Sequence, residues 1–143
     1  MKPEPYRLRK YLLEIRKSAA ELEILVRENS LKPGSVALNA AKYLLIELAE
    51  AVSNTLQHLL AREKGVAVSG YLDTLAKARE HGIVSEELFG RLKPFFDFRN
   101  SLVHRYWTID DSKLIGNILD GRADFIRFVE EIESHAEGPG REI

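Results

Sequence analysis

The chain has 143 residues, a length that suits one domain, with 45% hydrophobic and 30% charged residues. That mixture excludes a disordered or membrane-embedded chain, and the absence of cysteine excludes disulfides and thiolate metal sites. Net charge is −1, so a nucleic-acid contact would have to rest on a local patch rather than on a general basic surplus.

The first predicted element is a helix from about Tyr6 to Glu28. Leu8, Tyr11, Leu12, Ile15, Ala19, Leu22 and Leu25 or Val26 recur at three-and-four spacing and make one apolar stripe. Arg7, Arg9, Lys10, Arg16 and Lys17 fall mostly off it. The turn cluster at 29–34 separates it from a second long helix, about Ser35 to Glu63, with Ser35 as N-cap. The run 43–52 is apolar on more than one face, with Glu47 and Glu50 as polar exceptions, which suits a helix in the middle of a bundle or at an interface. Lys64 and Gly65 close it.

A connector at 66–70 leads to a short third helix, about Tyr71 to Glu80, with Ser69 as candidate cap and Gly82 in the position that a left-handed helix end favours. Ser85 caps a fourth helix carrying Leu88, Leu92, Phe95, Phe96, Leu102 and Val103, and Pro94 inside it should remove one backbone bond and bend the axis. Asp110, Asp111 and Ser112 offer caps for a fifth helix, about Lys113 to His135, in which Ala123 stands off register. No strand pattern and no repeat stands out. The expected architecture is all-α: an up-and-down bundle of four main helices and one short one, a single domain over 1–143 with flexible ends at 1–5 and 136–143. No apolar signal core and no run of membrane-spanning length occurs, so the expected location is cytoplasmic and no membrane association is expected.

The chemically capable side chains concentrate in 95–107, where rings flank Arg99, Asn100, His104, Arg105 and Tyr106. At about 100° per residue, Asn100 and His104 share a helix face, and so do Arg99 and Tyr106 if the helix continues. Arg99 and His104 are about 140° apart on an ideal helix, so they meet only if the helix end unwinds or two copies face each other. The residue types suit cleavage of a phosphodiester by the substrate's own 2′-hydroxyl. An imidazole takes the proton near neutral pH, and a guanidinium forks onto the oxygens that gain negative charge. Arg91, Lys93, Arg99 and Arg105 against Asp97 make a local basic surplus. Trp107 is the better candidate for stacking a base, whereas Phe95, Phe96 and Phe98 read as core.

Each of these residues has a plainer alternative. Arg99 could form an ion pair with an acidic residue of a neighbouring helix. His104 could sit satisfied at a helix end, and Tyr106 could be a half-buried ring. Spacing alone does not decide between the two sets of readings. His58, His81 and His135 are scattered. Their spacing argues against a metal site, with His58 expected at the surface or an interface and His81 facing the last turn of its helix. Asp110 and Asp111 read as caps rather than cation ligands.

The run 98–106, followed by 107–111, resembles the signature of the HepT-like toxins of the HEPN superfamily of helical ribonucleases: Arg, four residues, His, one residue, Tyr, here Arg99, His104 and Tyr106. The Ser69-Gly70-Tyr71 connector, the 81–84 turn and the apolar second helix resemble the family too, so the likeness runs from about Tyr6 to about Ser134. It implies a metal-independent endoribonuclease with no cofactor, acting as a homodimer in which Arg and His of both subunits line one cleft. It also implies a toxin of a type VII-like toxin–antitoxin pair, whose MNT-type nucleotidyltransferase partner transfers AMP to the motif tyrosine, Tyr106. On that reading Arg99 and His104 are catalytic and Asn100 is supporting, with Arg91, Lys93, Arg105 and Trp107 as RNA contacts. The alternative is a non-catalytic HEPN-like adaptor that binds a nucleotide or a nucleotidyltransferase.

Overall fold

The computed structural model describes residues 5–102 and 109–136. Six α-helices follow in order: α1 (Pro5–Glu28), α2 (Val36–Leu59), α3 (Tyr71–Glu80), α4 (Glu86–Ser101), α5 (Asp111–Gly121) and α6 (Asp124–Ala136). A π-helical turn, Leu60–Lys64, extends α2, and no strand occurs among the described residues.

The predicted stripe of α1 is buried at Leu8, Leu12, Ile15, Ala19 and Leu22, which packs the helix against α2 and α6. Ser35 caps α2 by accepting from the Leu38 amide at 3.1 Å. α2 is the central helix: Leu38, Leu45, Leu48, Val52, Leu56 and Leu59 are all fully buried, and it touches α1, α3 and α4. That environment explains an apolar run on more than one face. Gly65, at φ 65°, ends the π turn in the left-handed region.

Pro94 lies within α4 without ending it, as the sequence predicts. Two boundaries differ from the sequence expectation. Gly70, not Ser69, holds the N-cap position of α3; its φ of 88° suits glycine, and the Ser69 amide instead donates to Asp73 Oδ2 at 2.8 Å.

The second difference is larger. The expected fifth helix is two, broken between Gly121 and Asp124. At Gly121 the chain passes so close to the buried Phe95 ring that a β-carbon would stand 3.1 Å from Phe95 Cε2. Arg91 holds the break from α4: its Nε donates to Asp124 Oδ2 at 2.8 Å, its Nη1 to Asp120 Oδ2 at 3.0 Å and its Nη2 to the Asp120 carbonyl at 2.7 Å. The off-register Ala123 falls inside this break. Phe95 stacks at a tilt on Phe125, with centroids 4.9 Å apart, and joins α4 to α6.

Candidate functional site

Ser85 caps α4 by accepting from the Leu88 amide at 3.1 Å. Leu88, Leu92, Phe95, Phe96 and Phe98 then bury one side of the helix. This burial fixes the rotation of α4 and turns Arg99, in its last turn, toward α2 and α3. The Arg99 guanidinium donates from Nη2 to Glu50 Oε1 of α2 at 3.3 Å and lies over the Tyr71 ring of α3, 4.9 Å from the centroid. Its Nε is buried with no hydrogen-bond partner. The Tyr71 ring meets Phe96 edge-on, so the platform under the guanidinium is tied to the core.

The side chain of Arg99 is 20% exposed and that of Glu50 45%. Part of the Arg99 side chain thus remains open to solvent beside the ion pair. Glu47, one turn before Glu50, is engaged elsewhere. It accepts from the buried Ser18 hydroxyl at 3.4 Å, and its hydrogen bond with Tyr43 pushes the Tyr43 hydroxyl above its usual pKa. Glu50 stood out in the sequence only as a charge within an apolar run, and Tyr71 only as part of a connector.

Asn100 is half-buried beside Arg99. His104, Arg105, Tyr106 and Trp107 lie outside the described residues. Ile109 packs on the core, and Asp110 caps α5 by accepting from the Lys113 amide at 3.1 Å. Between α4 and α5 a cavity of about 220 Å³ is lined by Pro94, Asp97, Phe98, Ser101, Ile109 and Lys113 among others. Asp111 ties the α1–α2 turn to this region. Lys42 at 2.9 Å and the Gly34 amide at 3.0 Å hold its carboxyl below the usual carboxylate range.

The expected basic surplus is smaller than the sequence suggests. Lys93 pairs with Asp97 at 3.0 Å, Arg99 with Glu50, and Arg91 spends its guanidinium on the α5–α6 break. Both carboxylates at the start of α5 are used in structural bonds. Three other histidines also have structural places. His58, expected at the surface or an interface, is 8% exposed and meets Tyr11 edge-on at 6.5 Å, so it does not lie at the surface; the wide apolar face of α2 carries it inward against α1. His135 bonds to Glu63 of the π turn at 2.8 Å. His81 ends α3, where Gly82 (φ 73°) and Ile83 close the helix on the Arg79 and Ala78 carbonyls.

An all-α bundle that carries an arginine at the end of its fourth helix, with the sequence Arg-x4-His-x-Tyr running on from it, defines a HEPN-like helical protein. The chain belongs to the Ribonuclease HepT-like family, whose model matches residues 15–132. An Archaeoglobus fulgidus protein named "Putative RNase" is 29% identical over 75 residues, a stretch that covers 52% of this chain and 57% of that protein. The match thus spans little more than half of the curated relative. Among solved structures, YutE from Bacillus subtilis, a cytosolic protein of unknown function, superposes with a TM-score of 0.79 at 17% identity, over 99% of this chain and 96% of that one. A chain of a mutant toxin-antitoxin MntA-HpeT gives a TM-score of 0.76 at 14% identity, over 90% and 98% of the two chains. A toxin-antitoxin structure with AMP-PNP gives 0.73 at 15% identity, over 90% and 97%. At these identities the likeness is one of fold.

Proposed function

We propose that this chain is a metal-independent endoribonuclease, the toxin of a toxin–antitoxin pair. The observation that carries the reading is the Arg99 guanidinium, held by Glu50 and Tyr71 and partly exposed, in a chain of the HepT-like ribonuclease family. His104 is the general base. Its imidazole takes the proton of the substrate's 2′-hydroxyl, the 2′-oxygen bonds to phosphorus, and the bond to the 5′-oxygen breaks. The products are a 2′,3′-cyclic phosphate and a 5′-hydroxyl, which takes up a proton as it leaves. Arg99 stabilises the charge that builds on the non-bridging oxygens. Asn100 orients the substrate or His104, and Lys93, Arg105 and Trp107 contact RNA.

The protein works as a homodimer: Arg99 and His104, five residues apart, would fall on different faces of an ideal helix, and a two-fold axis brings two copies of the motif together. A nucleotidyltransferase antitoxin of the MNT type switches it off by moving AMP onto Tyr106. The added phosphate then competes with RNA for Arg99. The MntA-HpeT and AMP-PNP structures of similar fold support a partner of this kind. Action in the cytoplasm fits these partners, and no described helix is long and apolar enough to cross a membrane.

The Arg99–Glu50 ion pair also suits the second reading, a non-catalytic adaptor in which Arg99 is structural or holds a nucleotide phosphate. Incubation of the purified protein with RNA, with and without chelator, separates the two. Cleavage in chelator that is lost in His104→Ala supports the nuclease. Absence of cleavage, or loss of cleavage on chelation, contradicts it. Intact mass after co-expression with a neighbouring nucleotidyltransferase gene tests the switch: adenylate increments should map to Tyr106.

A further inference from the structure

The amino-terminal half of α1 carries charge out of proportion to the chain. Residues 6–17 hold Arg7, Arg9, Lys10, Arg16 and Lys17 against the single Glu14, in a protein whose net charge is −1. All five cations are exposed. Of these only Arg7 lies in the first turn of α1, which contains no acidic residue, although the positive end of the macrodipole favours carboxylates there.

The same face exposes apolar surface. Tyr6, Lys10, Leu13 and Lys17 follow at four-three-four spacing along one side of the helix, with Tyr6 71% and Leu13 67% exposed. Beside them a groove of about 500 Å³ runs between α1 and α6, with Tyr6, Leu12 and Leu13 as its apolar part and Arg9, Lys10 and Arg16 as its basic part. Glu133 is the acidic residue of its lining, and it is neutralised by Arg16 at 2.8 Å. An exposed ring next to a row of cations is what a single strand requires: phosphates for the cations and a base to stack on the ring.

We propose that the amino-terminal half of α1 is a second RNA-binding surface, which holds single-stranded RNA by phosphate contacts at Arg9, Lys10 and Lys17 and by stacking on Tyr6. The proposal rests on the ribonuclease reading for its ligand but uses none of the motif residues. It adds a strand grip to the RNA contacts proposed at Lys93, Arg105 and Trp107.

The test is binding of a single-stranded 2′-O-methyl oligoribonucleotide, which cannot be cleaved because its 2′-oxygen is blocked, across a salt series. Three proteins are compared with the wild type: Arg9→Glu with Lys10→Glu, Tyr6→Ala, and a control with the same charge change, Lys32→Glu with Lys64→Glu. All the substituted side chains are exposed, and thermal melts check that the fold is retained. The proposal expects the first pair to weaken binding at least tenfold and to flatten the slope of log K against log salt by roughly 0.7 for each phosphate no longer neutralised. Tyr6→Ala should weaken binding about fivefold or more, and the control should do neither. Unchanged affinity and slope in the patch variants overturn the proposal while wild-type RNA cleavage leaves the nuclease reading standing, and the surface then falls to an acidic protein partner. An equal loss in the control also overturns it. Patch-dependent binding by a wild type that cleaves no RNA sinks the nuclease reading and keeps the strand site.

Discussion

Arg99 of α4 and Glu50 of α2 meet across 3.3 Å with the Tyr71 ring beneath the guanidinium, so three helices converge on one cation near the end of the motif helix. The 45% exposure of Glu50 and the 3.3 Å separation keep the pair's contribution to stability small, about 1 kcal/mol or less. Its effect is on orientation. Glu50→Ala should leave the melting temperature nearly unchanged and lower kcat by about ten- to a hundredfold, the scale of a misplaced catalytic group. Equal falls in Tm and kcat would make the pair structural.

Arg99 itself should be irreplaceable by lysine. A guanidinium spans two phosphate oxygens while resting on a ring, and an ammonium does one or the other. Loss of one transition-state donor typically costs about 10²–10³ in kcat. Arg99→Lys should therefore resemble Arg99→Ala in RNA cleavage assays. Near-wild-type activity in Arg99→Lys would reduce the role to a point charge.

Gly121 and Arg91 control the break between α5 and α6. The Phe95 ring that a new methyl would meet at 3.1 Å is fully buried against Phe125, so it must shift within a packed core to make room. Gly121→Ala should cost about 1–3 kcal/mol in chemical denaturation, as overpacking does. Arg91→Ala should lower Tm by a few degrees and leave RNA affinity unchanged, since its guanidinium is occupied by Asp120 and Asp124. A loss of RNA affinity at constant Tm would return Arg91 to the binding surface.

Acid stability follows from four carboxylates held below their usual pKa: Asp111 by Lys42, Glu87 by Arg127, Glu23 by Arg122 and Asp73 by the Ser69 amide. Their folded-state values lie below the unfolded ones. Their contribution is therefore complete above the ordinary carboxylate range, about pH 4, and is lost as pH falls through the lowered values. Melting temperature should be flat from pH 7 to 5 and fall below about pH 4. A fall between pH 7 and 6 would contradict this account.

Much of the fold was legible in the sequence because caps and stripes are local. Ser35 and Ser85 accept from the amides three residues on, Gly82 takes the left-handed position, and the α1 leucines are buried as their spacing requires. The α5–α6 break was not legible, because it depends on a ring and a guanidinium from α4, about 30 residues upstream in sequence. His58 was misjudged for a similar reason: its burial comes from contact with α1. At the site, the sequence supplied Arg99 and offered an acidic neighbour as the plainer alternative. It could not say that the neighbour is Glu50, or that Tyr71 would lie beneath. Pairing across helices is set by packing, which spacing along one helix does not reveal.

The central claim is that Arg99 and His104 serve an attack by the RNA's own 2′-oxygen. The direct measurement uses an RNA with a single 2′-deoxy nucleotide at a mapped cleavage site, in chelator. The account predicts that cleavage stops at that position, continues at the others with 2′,3′-cyclic phosphate ends, and vanishes everywhere in His104→Ala. Continued cleavage at the deoxy position would require water or another nucleophile and would contradict the account.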